Sequence, residues 1–252
     1  EGANWAEAET MFWRGLKIEP KNAILNMNLA SLYINMGQPQ IALRHVKTAI
    51  DSDPALPESY YHRARALISL GDYSGWADMD PVLGRGDTRK ERLYGLVPRW
   101  NGVEGKTLIA YGEQGVGDEI AFAGCVPDLA KNNKVIIECD PRLWGLFKRS
   151  FGLETHGTRF SPQIPWLRDQ KTGATRKVDA GVAFGSLPQY YRKDVKDCPG
   201  TPYLVADPQR RLQWRTLLDS LGPKLKVGIT WTGGNPNTGK ARRSLDLTDL
   251  MP

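Results

Sequence analysis

The sequence predicts two kinds of structure in one chain: α-helical repeats first, then an α/β domain on a mainly parallel sheet. Three observations carry this. In the first 80 residues, pairs recur at intervals of 34 positions: Ala8 and Ala42, Pro20 and Pro54, Ala30 and Ala64, Gly37 and Gly71. From Lys106 onward, short β-rich runs alternate with helical patterns, as in a parallel sheet with crossover helices. The run KTLIAYGEQGVGDEIAF, Lys106 to Phe122, passes from apolar strand through a glycine turn into a helix. That geometry sets backbone N–H groups at the carboxyl end of a sheet, where open α/β folds bind ligands.

The 34-residue interval is the tetratricopeptide period, and the internal pattern agrees with it. Leu29-Ala30-x-x-Tyr33 fits the first helix of such a repeat, while Ala8-x-x-x-Phe12 and Ala42-x-x-x-Val46 fit the second. The segment resembles the tetratricopeptide family. Small residues such as Ala30, Ala42, Ala49 and Ala64 let paired helices approach closely. Trp5 to Glu19 reads as the second helix of an incomplete repeat, Asn22 to Asp51 as a whole one, and Glu58 to Asp80 as another that ends weakly, with Trp76 at an alanine position. Residues 1–80 are therefore read as about two and a half repeats, either a docking groove for a peptide or protein or a packing platform for the next domain.

Residues 81–105 are rich in glycine, proline and charge, and read as a connector with Arg85 to Arg92 as a solvated face. In the α/β part, strands are expected at Thr107 to Tyr111, Val135 to Cys139, Asp179 to Phe184 and Lys226 to Trp231. Helices are expected after the glycine turn to about Ala130, from Pro141 to Phe151, and from Pro208 to Leu221. Only a short strand and loop are assigned to residues 152–177. This gives a parallel, doubly wound sheet over 106–222, with 223–252 beginning a second unit.

Composition narrows the function. The net charge of +6 is modest and dispersed, and suits an anionic ligand. No basic stripe interleaved with aromatics points to nucleic acid. Cys125, Cys139 and Cys198 show no C-x-x-C pairing, so free thiols and a cytoplasmic setting are expected. His45, His62 and His156 lie far apart in sequence, and neither a metal site nor a metal cofactor is expected. No apolar run reaches membrane-spanning length. A first residue other than methionine and an end at Met251-Pro252 suggest a piece of a longer protein.

Two loops carry candidate chemistry. In the first, the glycines follow G-x-x-G-x-G, not the dinucleotide order G-x-G-x-x-G, so no nicotinamide site is read. Glu113 and Asp118 sit in that turn. Asp118 has two readings, a helix N-cap or a base that takes a proton from an incoming hydroxyl. In the second loop, Gly234-x-x-x-x-Gly239-Lys240 approaches a P-loop, but Ala241 stands where Ser or Thr should hold Mg²⁺, and Pro236 stiffens the loop. Lys240, Arg242 and Arg243 within four positions favour contact with an anion.

Taken together, Trp100-Asn101-Gly102, GKTLIAYGEQGVGDEIAF and KVGITWTGGNP with RRSLDL resemble tetratricopeptide-linked glycosyltransferase-like proteins of bacteria. These are similar in turn to heptosyltransferases and, more distantly, to O-linked N-acetylglucosamine transferase. The resemblance implies a GT-B architecture whose N-terminal domain is Rossmann-like and holds the acceptor. It implies Asp118 as general base, with Glu113, Gln114, Gly115 and Gly117 forming the acceptor and sugar loop. Lys240, Arg242 and Arg243 would hold the donor diphosphate, stabilising a departing nucleoside diphosphate without a metal. The expected function is part of a sugar-nucleotide-dependent glycosyltransferase acting on a protein or glycan, with most of the second Rossmann-like domain missing and the chain by itself inactive. The alternative is a non-catalytic repeat scaffold.

Overall fold

The structure, a computed structural model, describes residues 4–85, 89–168, 172–233 and 244–250. The chain forms two compact units: Phe12–Ala206, and a smaller one of Glu1–Met11 with Asp207–Pro252. Helix α1 (Trp5–Ile18) contributes residues to both.

In the larger unit α1 is followed by α2 (Ala23–Asn35), α3 (Pro39–Ser52) and α4 (Pro57–Ser69). The Asn22 side chain caps α2 by accepting from Leu25 N at 2.9 Å, and Pro39 and Pro57 start α3 and α4. The recurring glycines have a backbone cause. Gly37 and Gly71 follow α2 and α4 with φ of +74° and +82°, a left-handed conformation that glycine takes without a Cβ clash. Ala30, Ala42, Ala49 and Ala64 are fully buried where α2 meets α3 and α3 meets α4.

The helix expected to pair with α4 is instead a 3₁₀ helix, Tyr73–Met79. Trp76 replaces the alanine that close helix packing needs, and its ring turns edge-on to Phe122, 5.9 Å between centroids. Gly75 makes the close approach in its place: a Cβ there would lie 3.0 Å from the Ala64 carbonyl oxygen.

His62 on α4 is mostly buried, its Nδ1 has no hydrogen-bond partner, and burial lowers its pKa to about 4. The unfolded chain binds the proton below about 6.5, whereas the folded chain resists it until about 4. Stability from this group is therefore complete above 6.5 and falls as pH drops through that window, by up to roughly 3 kcal/mol. Urea unfolding at pH 7 and pH 4.5 should show this loss, and His62→Phe should reduce it.

The α/β part holds four parallel strands in the order β3-β2-β1-β4: β1 (Thr107–Tyr111), β2 (Lys134–Glu138), β3 (Glu154–His156) and β4 (Ala180–Ala183). The Cα register pairs Ile109 with Ile136 on one side and with Gly181 on the other. Because side chains alternate along a strand, Leu108 and Ala110 face one core with Val126, Leu129, Ile137, Phe147 and Val182. Ile109 and Tyr111 face another with Leu83, Tyr94 and Leu167.

The first core is covered by α5 (Val116–Ala123), α6 (Val126–Leu129), α7 (Trp144–Phe151) and α8 (Pro188–Tyr191). No α-helix covers the second among the described residues. Leu83, Tyr94 and Val97, with Ile164 and Val178, do so from irregular backbone, and Trp166 and Leu167 from the short 3₁₀ helix Pro165–Leu167. The sheet is parallel as expected, with α-helices on one face among the described residues. The single helix expected after the turn is broken, at Gly124 and Cys125, into α5 and α6.

Residues 98–100 lie beside β4, with Trp100 N donating to Gly181 O at 2.8 Å and Gly181 N to Pro98 O at 2.9 Å. The expected solvated face fails at Arg89, which is fully buried, because the carboxyl end of the sheet needs its charge.

In the smaller unit, α9 (Pro208–Ser220) is capped by Asp207 and buries none of its residues. The strand expected at Lys226 to Trp231 does not form. Those residues have no ladder partner among the described residues, and Val227 and Ile229 are exposed. An apolar run becomes a strand only where a neighbour takes up its backbone hydrogen bonds.

Candidate functional site: the carboxyl end of the sheet

The chain passes from β1 to β2 and β3 on one side and then crosses back to β4 on the other side of β1. The crevice outside the carboxyl ends of β1 and β4 is thus a topological switch point, the usual ligand position in open α/β sheets. Gly112 to Gly115 leave β1 there, and Phe184 to Ser186 leave β4. Three acids stand in or beside the first turn, and the structure treats each differently.

Glu113 is buried. Its Oε1 accepts from Arg89 Nε at 3.0 Å, Arg89 Nη2 at 2.8 Å, Gln114 Nε2 at 3.0 Å and Gly185 N at 3.2 Å. The Arg89 guanidinium also donates to Met79 O at 2.7 Å, Asp80 Oδ1 at 3.1 Å and Ser186 Oγ at 3.0 Å. A Cβ on Gly185 would lie 2.5 Å from Glu113 Oε1, so glycine is required for the backbone to approach this charge cluster. Of the two acids placed by the sequence at the mouth of the turn, Glu113 is buried and paired with Arg89.

Glu119 is fully buried as well. It accepts from Asp140 N at 2.9 Å and from Arg159 Nη1, tying α5 to the loops after β2 and β3. Burial is the strongest influence on its carboxyl and raises its pKa against the pull of those partners. Gly112 makes room: a Cβ there would sit 2.2 Å from the Glu119 carboxyl carbon. Gly112→Ala should therefore destabilise the protein by about 1–3 kcal/mol through overpacking. In urea unfolding, Gly112→Ala with Glu119→Ala should cost less than the two single losses combined, since both act on one contact.

A third buried acid, Glu138, closes β2. It accepts from Arg92 Nε at 2.9 Å, Arg92 Nη2 at 3.1 Å and Thr158 Oγ1 at 2.6 Å, and from the Tyr94 hydroxyl. Burial, then the Glu138 charge, pushes the Tyr94 phenol well above its ordinary pKa.

Asp118 differs from all of these. It is exposed at the third position of α5, and its Oδ2 accepts from Gly115 N at 3.0 Å, half of a capping box. Gly115, not Asp118, occupies the N-cap position, with extended backbone (φ −71°, ψ 165°). A Cβ on Gly117 would meet no atom within 4 Å, so the space above that residue is open.

The structure thus gathers Glu113, Gln114, Gly115, Gly117 and Asp118 into one turn and leaves only Asp118 with a solvent-facing carboxylate. Lys240, Arg242 and Arg243 lie outside the described residues. Arg89, Glu119, Arg159 and Glu138 did not emerge from the sequence. Their pairings join residues 24 to 46 positions apart or separate turns, and no local pattern marks them. Among the described residues no helix is long and apolar enough to cross a membrane, and no group of three or more His, Cys, Asp or Glu could hold a metal ion.

No family model matches the chain. It is similar to Protein FlbA of Caulobacter vibrioides, 28% identical over 256 residues, an alignment that takes in 92% of this chain. The chain spans 41% of that relative's length. Among solved structures it is similar to an O-GlcNAc transferase variant from Thermobaculum terrenum, with 15% identity and a TM-score of 0.31 over 54% of this chain and 34% of that one.

Proposed function

We propose that the chain is the repeat-bearing, acceptor-side part of a sugar-nucleotide-dependent glycosyltransferase of GT-B type, with Asp118 as general base. The observation that carries this reading is the sorting of the acids at the sheet's carboxyl end. Glu113 and Glu119 are buried against arginines, while Asp118 is exposed, oriented by Gly115 N, and beside the open face of Gly117. An oriented, hydrated carboxylate can take the proton of an acceptor hydroxyl as its oxygen attacks the anomeric carbon. The bond from that carbon to the diphosphate then breaks. Lys240, Arg242 and Arg243 are the proposed partners for the departing charge.

The proposed organisation assigns residues 1–80 to the repeats, 81–105 to the connection, 106–222 to the acceptor side and 223–252 to the start of the donor side. The repeats would hold a protein or glycan acceptor, and the proposed setting is the cytoplasm.

A second reading is a scaffold without catalysis. One observation favours it: the crevice between β1 and β4 is filled by Arg89 and Glu113, the protein's own charges. Incubation of the whole transferase, of which this chain is the proposed acceptor-side part, with a panel of labelled sugar nucleotides and a cell-derived acceptor mixture separates the two. Transfer from at least one donor is expected. Absence of transfer from every donor, with peptide capture by the repeats intact, would favour the scaffold.

A further inference from the structure

The helical segment reaches the glycine turn through two side chains. Asp80 ends the 3₁₀ helix Tyr73–Met79. Its Oδ1 accepts from Arg89 Nη1 at 3.1 Å and from the Ser186 hydroxyl, and its Oδ2 accepts from Gln189 Nε2 at 2.7 Å. The other side of the same guanidinium grips Glu113, whose Oε1 also receives Gln114 Nε2 and Gly185 N. One planar, fully buried cation therefore touches the end of the helical segment, the turn after β1 and the turn after β4. A rigid fork of donors fixes such an arrangement in a way that a point charge on a flexible stem does not.

The rest of the glycine turn is more loosely held. Gly115 and Gly117, both exposed, give this backbone more conformational freedom than any other residue type would. At the start of α5, Gly115 N donates to the Asp118 carboxylate at 3.0 Å, a bond within the turn's own end that anchors it to no other element.

We propose that Asp80 and Arg89 are positioning residues: through Glu113 they hold the glycine turn, and with it Asp118, in the shape the helical segment dictates. The functional consequence rests on the reading of Asp118 as a base; the mechanical coupling does not. A partner that shifts the 3₁₀ helix would thereby reshape a turn that lies far along the chain from it.

Amide hydrogen exchange of the protein with no sugar donor present, wild type against Asp80→Ala, tests this. Asp80 bonds to no residue of the glycine turn, and its side chain is 35% exposed, so the fold should survive the change. Exchange at Gly115 and Gly185 should accelerate roughly tenfold or more, the order expected when a charge-assisted hydrogen bond is lost, while amides of β1 and β2 keep their wild-type rates. Unchanged exchange in the turn would overturn the proposal, and so would a uniform rise across strands and turn, the sign of global loosening. Should Asp80→Ala fail to fold, Arg89→Lys serves: it keeps the buried charge but cannot fork between Glu113 and Asp80, and the same outcomes apply. Since exchange is read without donor, a negative transfer assay and a failed coupling are distinguishable.

Discussion

Arg89→Ala should destabilise the larger unit by about 3–5 kcal/mol, the cost of leaving a buried charge without its partner. Arg89 is fully buried and Glu113 almost so. In the variant the Glu113 carboxylate keeps only Gln114 Nε2 and Gly185 N as donors and loses its buried counter-charge. The thermal unfolding midpoint should fall by roughly 10 °C. Replacing both partners at once, Arg89→Met with Glu113→Leu, should recover part of the loss, because no buried charge is left uncompensated, while Met79 O and Gly185 N lose their partners in the pair. A single variant within about 1 kcal/mol of wild type would show that this buried pair does not hold the sheet's carboxyl end together.

Much of the backbone plan is legible in the residues. The 34-position interval corresponds to helix-ending glycines at positive φ and to alanines in helix contacts, both local requirements that leave local marks. The run Thr107 to Tyr111 is a strand, and the glycine turn leads to a helix. Where reading and structure part, tertiary context decides. Residues 73–79 form a 3₁₀ segment with Trp76 packed on Phe122, and Lys226 to Trp231 joins no strand ladder among the described residues.

The site is legible in a different degree. Its location at the turn follows from the glycines, but the division of labour among its acids does not. Glu113 and Asp118 look equivalent in sequence. What separates them is an arginine 24 positions before Glu113 that reads as surface charge until the fold buries it. Glu119, adjacent to Asp118, is drawn inward by Arg159 and admitted by the missing side chain of Gly112.

Asp118→Asn is the second large expected effect. Asparagine keeps an oxygen able to accept from Gly115 N, so the start of α5 should be preserved and stability should change by no more than about 1 kcal/mol, the usual scale of a charge near a helix N-terminus. It cannot take up a proton from an acceptor hydroxyl. Loss of a positioned general base lowers a rate by about 10²–10⁴-fold, and neither Glu113 nor Glu119 can substitute while paired to Arg89 and Arg159.

The rate of sugar transfer by the whole transferase carrying Asp118→Asn, relative to its wild type, with far-UV circular dichroism recorded on the same samples, tests the central claim most directly. The account predicts a fall of at least about 10²-fold with an unchanged spectrum. Transfer at the wild-type rate by a folded Asp118→Asn protein would contradict it.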